Sequence, residues 1–240
     1  MKSAWRRITL TFALFSIVFF SCATFSAPYP TEDQYRKAIA EAAFLVKSEG
    51  LEVEVYDAQK EGVNRPLMAA GLSLTKGTCM IFFNTLPRSD LTEFVDTIAY
   101  KDLSVWLNML AVHEVAHCIE QREAYIHKQF QEVLPPYLKL KDVTIQGYLS
   151  VVKSGAIEAW GEAFADIVAV LYIKSTLPGE WMRFATSLAD MRDLRASGDS
   201  GHNTAPWLRR VIAANAEIGV NQTIYQAAFE MRKKYRPPEP

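Results

Sequence analysis

The stretch NMLAVHEVAHCIEQREA, which begins at Asn108, places His113 and His117 four residues apart with Glu114 beside the first. On a helix such residues project from one face, so the two imidazoles can converge on a single ion. Zinc takes nitrogen ligands at about 2.0–2.1 Å in tetrahedral array, and this pair supplies two corners with no loop to order. Glu114 is rotated about 100° from His113, so it borders the ion without joining its ligands. That is where a general base for a metal-activated water belongs. The rival reading is a pair of hydrogen-bonded core histidines. A third ligand decides between them.

The metzincin pattern of zinc site is excluded, because it would continue with Gly and His where this chain has Glu120 and Glu123. A second segment, SGAIEAWGEAFADIVAVLYIKS, offers carboxylates instead: Glu158, Glu162 and Asp166 follow at one-turn spacing along one face. Three stacked carboxylates on an alanine-rich apolar helix repel one another and are costly to bury without a cation. Ala159, Gly161, Ala163 and Ala165 keep that helix slim enough to approach the histidine helix closely.

Together HEVAH and EAFAD resemble the gluzincins, the thermolysin-like zinc metallopeptidases with H-E-x-x-H followed by E-x-x-x-D. The resemblance implies a helix-rich α+β, zincin-like domain in which one Zn2+ is held by His113, His117 and Glu162. It implies that Glu114 is the general base and that Asp166 fixes the tautomer of His113. A reading in which Glu158 is the ligand, in an E-x-x-x-E pairing with Glu162, stays open. The family also places a substrate-binding edge strand before the zinc helix, a position that TCMIFFNT occupies here; an ordinary core strand reads the same. In SGDSGHNTAPWLRRVI, His202 follows a glycine-bearing loop and precedes a helix start with Asn203 or Thr204 as cap and Pro206 in the first turn. By resemblance His202 donates to the oxyanion and Asp199 is the candidate that orients it, although Asp199 lies closer than the family pattern. The alternative is a surface-loop histidine.

The elements that must carry these groups are legible in outline. TEDQYRKAIAEAAFLVKSEG reads as a helix capped by Thr31 and stopped at Gly50. LEVEVYD alternates as a strand does, and TCMIFFNT is a continuous apolar run that reads as a more buried strand. Between them lies a stretch punctuated by Gly62, Pro66 and Gly71, read as a connection. Leu103 to His127 lacks Gly and Pro and reads as one helix around the histidines. The long segment between the two motif helices is expected to be an inserted loop or helical excursion that shapes the cleft.

A chain of 240 residues, half of them hydrophobic, with a formal net charge of -1 has room for an ordinary core and lacks the charge excess of a nucleic-acid binder. Residues 1–27 read as an export signal, with Lys2, Arg6 and Arg7 ahead of an apolar run from Ile8 to Phe20; an uncleaved anchor is the alternative. Residues 28–240 are then a single catalytic domain. Ser21 and Ala23 form an A-x-A-like cleavage site, whereas Cys22 after VFFS resembles a bacterial lipoprotein box and would attach the mature chain to a membrane. The Arg6–Arg7 pair is discounted as a twin-arginine signal because of Thr9. Export leaves Cys79 and Cys118 in an oxidising compartment, periplasmic or extracellular in a bacterium, where they are either bridged or two buried thiols. The function expected from all this is an exported zinc peptidase acting on a peptide or protein substrate. The alternatives are a zinc hydrolase of a non-peptide bond and a non-catalytic zinc-binding protein.

Overall fold

The computed structural model describes residues 29–62, 67–85, 95, 97–195 and 200–238. The signal at 1–27, Cys22 and Asp199 lie outside the described residues.

Helix α1 (Glu32–Lys47) begins at Thr31, whose hydroxyl accepts from the Gln34 amide while the Gln34 side chain accepts from the Thr31 amide. This reciprocal pair satisfies two of the donors left over at a helix start. Its buried face, Tyr35, Ala38, Ile39, Ala42 and Val46, follows the 3.6-residue period and packs on the helix that bears the histidines.

Three strands follow, β1 (Val53–Asp57), β2 (Met68–Leu72) and β3 (Cys79–Phe83), in the order β1-β3-β2. β1 and β3 are parallel, with Val53 opposite Cys79, and β2 and β3 are antiparallel, with Met68 opposite Phe83. Two expectations are corrected here. The stretch between the expected strands contains β2, whose alanine and glycine are weak strand formers and which exists through its pairing with β3. β3 is not the edge strand: it has a partner on both sides, and its Cys79, Ile81 and Phe83 side chains are fully buried. The edge beside the histidines belongs to β2.

Helix α2 (Leu103–Tyr125) carries His113, Glu114 and His117 and is buried around almost its whole girth from Ala111 to Ala116. Helix α5 (Glu158–Thr176) is buried continuously from Ala163 to Ile173, as a helix apolar on every side must be. The two pack against each other through the small residues of α5, and a Cβ at Gly161 would stand 3.2 Å from the Glu120 carboxylate of α2. Between them the chain forms α3 (Phe130–Val133) and α4 (Ile145–Lys153), the helical excursion expected there. α6 (Trp181–Arg195), α7 (Ala205–Ala213) and α8 (Ile224–Lys234) complete the helical layer, which gives a helix-rich α+β fold with a small sheet.

Two long-range devices lock α2 in place. Cys79 on β3 and Cys118 on α2 form a disulfide, with Cα atoms 5.6 Å apart, directly after His117 in sequence. Arg232 of α8 is fully buried, ion-paired with Glu120 and hydrogen-bonded to the Trp160 and Val133 carbonyls, with its guanidinium over the Trp160 ring. A buried charge is tolerable because it is paired in this way. Among the described residues no helix is long and apolar enough to cross a membrane.

Candidate metal centre

His113 and His117 turn their Nε2 atoms toward each other at 3.2 Å, and their rings stand nearly perpendicular at 86°. Glu162 of α5 closes the figure, with one oxygen 3.4 Å from the His113 Nε2 and the other 3.3 Å from the His117 Nε2. Ligand atoms about 2.0–2.1 Å from one ion in tetrahedral array lie about 3.3 Å apart. The three side chains therefore match the spacing that one such ion demands, and among the described residues they are the group that could hold a metal ion.

Asp166, one turn beyond Glu162, is 1% exposed and fully committed. One carboxylate oxygen accepts from the His113 Nδ1 at 2.9 Å and from the Arg192 Nη2 at 2.7 Å; the other accepts from the Arg192 Nε at 2.8 Å and from the Thr204 hydroxyl. Accepting from Nδ1 puts the His113 proton there and leaves the Nε2 lone pair for a cation. Despite burial, which would raise it, the Arg192 guanidinium and His113 hold the Asp166 carboxyl well below the usual carboxylate range. Glu162 is likewise held far down against its burial by the two imidazoles. His113 is lowered by burial, but the Glu162 and Asp166 carboxylates outweigh this and raise it to about 10. The shifts are mutual: buried carboxylates and buried cationic groups each favour the charged form of the other.

Glu114 is 9% exposed and lines the same cavity, one side chain beyond the three ligand candidates. Burial pushes its carboxyl above the ordinary value, against the pull of the nearby imidazoles. A carboxylate made more basic beside a cation site has the property a proton acceptor needs. His202, on a short turn at Ser200–His202, also lines the cavity, with its Nε2 3.9 Å from the Glu162 carboxylate and its Nδ1 4.0 Å from Glu158. The Glu158 side chain is half exposed and lies against Gly201, where a Cβ would collide with its carboxylate, and it is not in the group whose ligand atoms converge. Its alternative role as ligand finds no support in this placement.

Two residues reach the centre in roles that no sequence motif announces. Arg192 comes from α6, in a segment with no motif, and reaches both Asp166 and Glu162, the latter at 3.1 Å. A buried aspartate with a histidine on one oxygen requires further donors, and that demand was the available signal. Thr204 does stand at the start of α7 with proline in the first turn, but its side chain makes no cap hydrogen bond and is spent on Asp166.

The cavity above the histidines is about 430 Å³. Its apolar wall is Trp106, Met109, Leu110, Leu188 and Met191, and its opposite side is the strand β2 from Met68 to Ala70. The Leu72 amide points outward to Gln121 on α2 at 2.8 Å, so Ala70 and Met68, at alternate positions, direct their backbone groups to the same outer edge. No described strand pairs with that edge.

No family model, curated protein or solved structure matches the chain.

Proposed function

We propose that this chain is a gluzincin-like zinc metallopeptidase, a hydrolase that cleaves peptide bonds of an extended substrate laid along β2. The observation that carries the reading is the triangle of His113, His117 and Glu162 at zinc spacing with a buried, basic Glu114 beside it. A structural zinc site more often has four protein ligands and no need of a base. The open edge of β2 next to the centre supports a peptide over a compact ester substrate, because it offers backbone hydrogen bonds to another backbone.

Zinc bound there would supply a Lewis acid that polarises a carbonyl and acidifies water. The chain supplies the rest. Glu114 takes the proton of the attacking water and passes it to the departing amine. His202 presents a ring nitrogen to the oxygen on which charge develops. Asp166, clamped by Arg192 and Thr204, keeps His113 in the tautomer that leaves Nε2 free. The Cys79–Cys118 bridge fits an oxidising compartment and so an exported protein.

Metal analysis of the purified chain, joined to peptide-library cleavage with and without a chelator, tests the proposal. Zinc at one per chain with chelator-sensitive cleavage supports it. Metal binding with ester but no peptide turnover would transfer the site to another hydrolase class, and metal binding without turnover would make it a non-catalytic zinc protein.

A further inference from the structure

A second cavity, also about 430 Å³, opens on the other flank of the centre, and His117 and Glu162 line both. Its outer wall is α4, part of the excursion between the two motif helices, which contributes Tyr148, Val152 and Lys153. Its floor is aromatic: the Tyr125 and Tyr148 rings meet edge to face at 5.4 Å.

The polar groups in this cavity divide sharply into committed and uncommitted ones. Glu120 is neutralised by Arg232, the Gln121 carbonyl oxygen takes the Leu72 amide, and the Trp160 indole donates to the Val133 carbonyl at 2.8 Å. Glu158 is pressed against Gly201 and faces His202. The Tyr148 hydroxyl, on a residue only 4% exposed, has no hydrogen-bond partner among the described residues, and the Lys153 ammonium has no ion-pair partner among them. What is left is the Lys153 ammonium, on an exposed side chain, and the Tyr125 and Tyr148 hydroxyls that line the same cavity. A hydroxyl that opens on a cavity can donate to an acceptor brought by a ligand, and an ammonium on the same cavity would add charge to that contact.

We infer that this second cavity is a specificity pocket that receives a carboxylate of the substrate on Tyr148 and Lys153. The inference rests on the peptidase reading and adds to it the class of substrate: apolar on the flank of Trp106 and Met191, acidic on the flank of α4. The carboxylate can come from a Glu or Asp side chain or from the substrate's own C-terminus.

The test uses the zinc-loaded chain and two sets of peptides, one with amidated and one with free C-termini. Each set carries Glu, Gln or Lys in turn at every position flanking the cleaved bond. The expected result is kcat/KM about tenfold higher for Glu than for Gln at one position on one side, as for a hydrogen bond to a charged group. A gain confined to the free-carboxylate set identifies the chain terminus as the source. Lys153→Glu, a surface change, should reverse the preference toward Lys, and Tyr148→Phe should narrow the Glu-to-Gln ratio, both with unchanged zinc content. Cleavage with equal rates for Glu, Gln and Lys, or a preference that Lys153→Glu leaves in place, overturns the pocket and leaves the peptidase reading standing. No cleavage at all by the zinc-loaded chain overturns both.

Discussion

Replacing Asp166 by asparagine removes one charge and one acceptor from the most heavily bonded side chain at the centre. Asp166 accepts four hydrogen bonds: one from His113, two from Arg192 and one from Thr204. If Asp166→Asn keeps its oxygen toward His113, its amide NH2 faces the Arg192 Nε–H and the Thr204 hydroxyl. The hydroxyl can rotate to accept, but the Nε–H cannot, so one charge-assisted bond becomes a donor against a donor. Breaking a buried ion pair from one side costs about 3–5 kcal/mol. For a chain of this length about 1 kcal/mol corresponds to 2–4 °C, so Tm should fall by roughly 6–20 °C. Loss of the carboxylate behind a ligating histidine should also weaken zinc affinity about 10–100-fold. Thermal unfolding of the metal-free chain and competition for zinc against a chromophoric chelator read the two effects separately. A folded Asp166→Asn variant with unchanged Tm and zinc affinity would mean that the Asp166 charge braces neither Arg192 nor His113.

Glu114→Gln should retain zinc and lose turnover, since it removes the base and no ligand; residual activity near the parental level would contradict the role. His202→Ala should lower kcat by about 10²–10³-fold, the cost of one oxyanion donor, with zinc content and KM little changed; a near-normal kcat removes His202 from the mechanism. Joint replacement of Cys79 and Cys118 by alanine should cost about 2–4 kcal/mol in urea unfolding, and two titratable thiols in the denatured, unreduced parent, not counting Cys22, would contradict the bridge. With His113 raised to about 10 in the metal-free chain, a cation must displace its proton at neutral pH. Zinc affinity should therefore climb about tenfold per pH unit between pH 6 and 8, measured in metal buffers; a flat profile would count against it.

The centre was legible because its signals are local. His113, Glu114 and His117 on one helix, and Glu162 and Asp166 on another, have relative directions that the helical period alone dictates. Thr31 and the face of α1 are readable for the same reason. What was not legible depends on contacts across the chain. β2 is a strand because β3 pairs with it, not because MAAGL favours extended backbone, and with β2 in place β3 becomes central. Arg192 is one of several arginines in a polar helix, and only the folded placement of α6 selects it for Asp166. Glu158 sits one turn before Glu162 on the same face, yet the crossing of α2 and α5 brings only one of the two carboxylates to both imidazoles. Glu120, which spoke in the sequence only against the metzincin pattern, is the partner of a buried arginine 112 residues away.

The proposed function requires that one zinc ion be held by His113, His117 and Glu162. Anomalous diffraction from crystals of the zinc-loaded chain, recorded on both sides of the zinc absorption edge, addresses it directly. A single strong peak is expected about 2.0–2.2 Å from both Nε2 atoms and from a Glu162 oxygen. A peak ligated by Glu158 in place of Glu162, or a zinc-loaded crystal with no peak between the two imidazoles, would contradict it.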